Sequence, residues 1–172
     1  MTNNPGPGTR IMGSLRSADG RGVVRIEDRY ATHIDDLWSA ITDPDRLARW
    51  YGHVEGDLRP GGEFRLHVES SGWDGTGRVD ACEPPQRLLV TTRERTEQFD
   101  KTIEATLTAD GGQTRLVIEV RGMPLDKIAF FGAGWQMHAE DLAAHLAGRA
   151  RATEARFDEL VPPYQDLAAN ID

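Results

Sequence analysis

Between His53 and Arg121 apolar residues recur at every second position, and turn-forming stretches interrupt the run at near-regular intervals: Pro60-Gly61-Gly62, Gly72 to Gly75, Pro84-Pro85, Glu94 to Gln98 and Asp110-Gly111-Gly112. Short strands joined by such turns pair with their neighbours in sequence, so this stretch predicts an antiparallel meander of six strands. Phe64, Leu66 and Val68, then Ile103, Ala105 and Leu107, then Leu116, Ile118 and Val120 alternate most cleanly with polar residues. One face of the sheet is therefore buried and needs an apolar partner laid across it.

The flanks supply that partner. Val24, Ile26 and Tyr30 fall on one face of a first strand beginning at Gly22. Thr32 is placed to cap a helix whose stripe is Ile34, Leu37, Trp38 and Ile41, ending at Thr42. Asp43-Pro44 then starts a second short helix with Leu47, Trp50 and Tyr51 on its apolar side. After the meander, Ile128, Phe131, Trp135, Leu142 and Leu146 form the stripe of a long helix closing near Gly148. A last piece, Thr153 to Val161, offers Phe157, Leu160 and Val161 before Pro162-Pro163 stops it. Residues 1–21, rich in glycine and poor in large apolar side chains, read as a flexible tail. The expected organisation is that tail, one domain over 22–150, and an extension over 151–172 packing on the outside. The class is α+β: about seven antiparallel strands curved around the long C-terminal helix, a helix-grip arrangement.

Composition narrows the partners. The 172 residues carry a net charge of -8 with the acids spread along the chain, and no uninterrupted basic stripe exists, so a nucleic-acid partner is not expected. No run of ~18 apolar residues is present and the N-terminus is polar, which argues against a membrane partner and against secretion. The lone Cys82, with no paired histidine or second thiol nearby, reads as a small core residue and fits a reducing cytoplasm. The excess of 18 arginines over 2 lysines fits a GC-rich bacterial genome.

Several stretches together resemble a known family: Trp38-Ser39-Ala40-Ile41-Thr42-Asp43-Pro44, Leu47-Ala48-Arg49-Trp50, Gly56-Asp57-Leu58-Arg59-Pro60-Gly61-Gly62 and Gly132-Ala133-Gly134-Trp135. In this order they look like the START-like (SRPBCC, Bet v1-like) superfamily over residues 22–149. The matching branch is that of the activator of heat-shock protein 90 ATPase homologues, C-terminal domain, also described as polyketide cyclase/dehydrase-like. The resemblance implies a hydrophobic cavity between long helix and sheet, used across the superfamily for lipids, polyketides and hormones. A fold shared by carriers, cyclases and co-chaperones leaves function to the particular site.

Six residues are candidates for that cavity: Trp50, Phe64, Trp73, Phe131, Trp135 and His138. Trp135 and His138 share a helix face, with Phe131 one turn earlier. His138 is either an edge residue bonded to a backbone carbonyl or the polar group that orients a ligand; as a general acid/base it lacks an identifiable second group. Trp50 either rims the pocket or plugs the gap between helices and sheet, and Trp73 sits in a glycine-rich turn where ligand contacts are common. Asp28 falls on the inward face of the first strand, so it either finds a buried partner or is turned to solvent by a bulge. His138, Asp141 and His145 could lie down one helix face, but with no further donors they do not make a metal site, and neither metal nor cofactor is expected. The expected function is binding of a small apolar molecule by a monomer or homodimer. Two alternatives stand beside it: a cyclase/aromatase or hydrolase-type enzyme using His138, and a co-chaperone-like protein-binding domain.

Overall fold

The computed structural model describes residues 10–151 and 154–171. Eight strands form one antiparallel sheet: β1 (Gly13–Ala18), β2 (Arg21–Tyr30), β3 (Gly52–Gly56), β4 (Glu63–Val68), β5 (Asp74–Glu83), β6 (Arg87–Glu94), β7 (Lys101–Asp110) and β8 (Gln113–Met123). Their spatial order is β1-β2-β8-β7-β6-β5-β4-β3. The meander from β3 to β8 contains the six strands that the alternation predicts, and β2 closes onto β8.

The eighth strand corrects the expectation of a loose tail. β1 pairs with β2 from Gly13 opposite Ile26 to Ala18 opposite Arg21, through a turn in which Asp19 and Gly20 both have positive φ (53° and 78°). Two positive φ values match the twist of a tight hairpin, and Asp-Gly is a residue pair that reaches them at low cost. The first nine residues of the proposed tail lie outside the described residues.

Helices α1 (Ile34–Thr42) and α2 (Pro44–Trp50) follow β2. Asp43 caps α2 by accepting from the Asp45 backbone N–H at 3.0 Å, with Pro44 at the first turn, as the sequence predicts. Thr32 is not the cap of α1. His33 holds that position without a side-chain bond, while the Thr32 hydroxyl donates to the Asp36 carboxylate at 2.6 Å.

The long helix α3 (Ile128–Leu146) enters through a 3-10 turn at Leu125–Lys127, and Gly148, at φ 70°, ends the segment beyond it. It presents two faces rather than one stripe. Small and apolar residues including Ala129, Gly132, Ala133 and Leu142 are buried, whereas Phe131 and Trp135 are only half-buried. Helix α4 (Glu154–Ala169) supplies the second side, contacting α3 and β1. It also runs straight through Pro162 and Pro163, where the sequence predicts a stop. Leu160 and Tyr164 are fully buried. Burial of two large side chains on either side of the prolines outweighs the lost helical bonds and steric cost they bring. The C-terminal extension is thus part of the main core, not an external addition.

Two hydrophobic clusters result. The larger joins the helices to β2, β7 and β8, and the smaller is Phe64, Leu66, Val68 and Val79 on β4 and β5. Asp28 is half-buried, accepting from the Arg29 backbone N–H at 2.8 Å and from the Arg10 guanidinium at 3.5 Å. It serves the N-terminal segment and is not a cavity wall.

Candidate functional site

The space between the two clusters is a cavity in two chambers. The inner one, about 160 Å³, is walled by α1, α2, strands β3 to β8 and Trp135 of α3, with Phe64, Leu66, Val79, Leu88, Val90 and Ile118 among its apolar surfaces. The outer one, about 440 Å³, lies between the first half of α3, strands β4, β6 and β7, and Phe157 of α4. Tyr51, Leu66, Thr92, Ile103 and Trp135 are walls of both.

Each predicted residue reaches this space, though by different routes. Trp50 and Phe64 line the inner chamber; Trp73, Phe131 and His138 line the outer; Trp135 borders both. Trp50 is also the plug that its helical spacing suggested, for its indole N–H donates to the Ala40 carbonyl at 2.9 Å and ties α2 to α1. Phe64 lies flat against Gly77, where a Cβ would overlap its ring. Trp73 folds over Gly75 in the same way, with a would-be Cβ at 2.6 Å from its Cη2. Glycines on β5 thus make room for both aromatic walls.

His138 does not bond a backbone carbonyl. Its Nδ1 is buried without a hydrogen-bond partner, and its ring meets Tyr51 edge-on at 4.8 Å and Trp135 at 5.2 Å between ring centres. Burial pushes the imidazole pKa down to about 4, and the positive charge of Lys101 adds to the shift. It is neutral at pH 7. The residue as a whole is half-buried and borders the outer chamber.

Two residues escaped the sequence reading. Tyr51, just after α2, packs its ring at a tilt against Trp50 and Trp135 and edge-on to His138, and burial holds its hydroxyl in the neutral form. Lys101, only 5% exposed, opens β7 with Nζ 4.5 Å from the centre of the Phe131 ring and 5.1 Å from that of Trp73. Its pKa is lowered by burial, against the opposing charges of Glu97 and Glu94. Glu97, in the loop before β7, is pushed up to about 7, first by burial and then by its hydrogen bond with Glu94. The signal for Lys101 was in the alternation itself, since it precedes Ile103, Ala105 and Leu107 by the same period of two.

Among the described residues no group of three or more His, Cys, Asp or Glu is placed to hold a metal ion. His145 accepts from Arg46 Nε at 3.3 Å, on the side facing α2. Cys82 is half-buried on the inner chamber wall, where burial pushes the thiol pKa up and keeps it unreactive. No described helix is long and apolar enough to cross a membrane.

The model of the Activator of Hsp90 ATPase homolog 1-like protein family matches residues 31–147, more than half of the chain. Among solved structures, CalU16 from Micromonospora echinospora is 28% identical, with a TM-score of 0.75 over 92% of this chain and 96% of that one. DynU16, a protein in the dynemicin biosynthetic locus, is also 28% identical, with a TM-score of 0.69, covering 80% of this chain and 51% of that one. A conserved protein of unknown function from Enterococcus faecalis, EF2215, shares the fold at 16% identity, with a TM-score of 0.73 over 93% of this chain and 92% of that one. No curated protein matches the chain.

Proposed function

Since the chain belongs to the Activator of Hsp90 ATPase homolog 1-like family, a helix-grip fold suited to ligand-binding or cyclase-type roles, we propose that it binds a small apolar, aromatic-sized molecule in the two-chamber cavity. The observation that carries this reading is the wall itself. Trp73, Phe131, Trp135 and Tyr51 surround a space of about 440 Å³ with few polar groups, the usual composition of a small-molecule site. Loosely covered aromatics on the cavity side of α3, beside tightly packed small residues on its other side, fit a helix shaped to leave room.

A cyclase-type enzyme is the second reading, supported by the unpartnered Nδ1 of His138. It ranks second because an imidazole with a pKa near 4 is a weak base at neutral pH, far from the value at which proton transfer is most efficient.

The test is titration with N-phenyl-1-naphthylamine, a neutral apolar fluorophore. Saturable binding, with quenching of tryptophan emission, is expected for the wild-type protein. His138→Gln should weaken binding modestly; under the enzyme reading it would abolish turnover of an added polyketone substrate instead. Absence of saturable binding by this probe and by a panel of aromatic compounds would overturn the binding reading.

A further inference from the structure

An apolar cavity has no need of an ammonium group, yet Lys101 places one on its wall. Among the described residues no carboxylate comes within 4.0 Å of Nζ, which lies instead over the ring faces of Trp73 and Phe131. Ring faces compensate only part of the cost of taking an ammonium out of water. Glu97 and Glu94 act on it from farther away, and burial together with the hydrogen bond to Glu94 raises the pKa of Glu97.

The wider distribution of charge points the same way. The protein has a net charge of -8 and 2 lysines, Lys101 and Lys127, and both line the outer chamber. No aspartate or glutamate is among that chamber's walls. In an acidic protein this is a locally positive, apolar enclosure, complementary to a molecule that is apolar with one negative end. One buried ammonium balances one charge, which favours a carboxylate over a phosphate carrying nearly two.

We propose that the outer chamber selects an aromatic or otherwise apolar carboxylate, whose oxygens pair with Lys101 Nζ while its hydrocarbon body lies against Trp73, Phe131 and Trp135. This proposal rests on the binding reading above and adds the chemical class of the ligand. Lys127, exposed at the rim, supplies a weaker and screened attraction on entry.

Calorimetry at pH 7 with 2-naphthoate and its neutral counterpart 2-naphthamide separates the two readings. The wild-type protein is expected to bind the acid at least tenfold more tightly than the amide. Lys101→Met should erase that preference, whereas Lys101→Arg should keep part of it. Equal affinity for acid and amide in the wild type, or a preference that survives in Lys101→Met, overturns the Lys101 proposal and leaves the cavity reading standing. Failure of both compounds to bind, together with failure of N-phenyl-1-naphthylamine, overturns both. Should Lys101→Met fail to fold, Lys101→Gln takes its place with the same outcomes.

Discussion

At the residue scale, His138 links burial to pH. Its pKa of about 4 in the folded protein lies below the 6.5 of an unperturbed imidazole, so between those values the unfolded chain takes up a proton that the native state refuses. Its stabilising contribution is complete above pH 6.5 and declines as pH falls toward 4. From pH 7 to pH 5 the wild type should therefore lose about 2 kcal/mol relative to His138→Gln, which cannot titrate; urea unfolding of both at each pH measures this, and parallel curves would refute it. Gly77 is a second residue with a specific consequence. A Cβ there overlaps the Phe64 ring, so Gly77→Ala should push that ring into the inner chamber, lowering stability by ~1–3 kcal/mol and weakening N-phenyl-1-naphthylamine binding. Sequence reasoning reached His138 and Trp135 through their helical spacing, since that spacing alone puts them on one face. Their ring contact with Tyr51 was out of reach, because it depends on where α2 ends relative to α3.

At the element scale, the N-terminal hairpin and α4 are held to α3 through Gln136. That fully buried amide accepts from the Met12 backbone N–H at 3.0 Å and the Tyr164 hydroxyl at 2.7 Å, and donates to the Arg10 carbonyl at 2.6 Å and Glu140 at 2.9 Å. Gln136→Leu keeps the volume but strands the buried Tyr164 hydroxyl, at ~1–3 kcal/mol, and leaves three part-buried partners unpaired at less each, so the thermal midpoint should fall by roughly 10 °C. A midpoint within two degrees of wild type would show that the clamp is dispensable. Gly134 makes the opposite case on the same helix. A Cβ there meets nothing within 4 Å, so Gly134→Ala should stabilise the helix by ~0.5–1 kcal/mol. The junction of α1 with α2 and the end of α3 were legible because Asp43-Pro44 and Gly148 are local signals. The hairpin's Asp19-Gly20 was equally local and was outweighed by the composition around it. The path of α4 through Pro162-Pro163 was not legible, because its cause is the burial of Tyr164 against Gly132, 2.5 Å from a would-be Cβ, in a distant element.

At the scale of the whole molecule, a ligand that enters only the folded cavity must stabilise it. At a hundredfold excess over Kd the gain is ~2.7 kcal/mol, which should raise the melting temperature by roughly 5–10 °C for either naphthalene probe that binds. Saturable fluorescence without such a rise would place the probe on the surface or on unfolded chains. The period of two from His53 to Arg121, the helical stripes on either side and the turn residues between them determined the class of fold and the order of the six meander strands, because neighbouring strands pair and an apolar helix face must be covered. What only the tertiary structure decided is the site's chemistry. Whether Lys101 meets a carboxylate or two ring faces, and whether His138 finds a partner, depends on elements far apart in sequence converging on one chamber. Local propensity and periodicity say which way a side chain points; they do not say what stands opposite it.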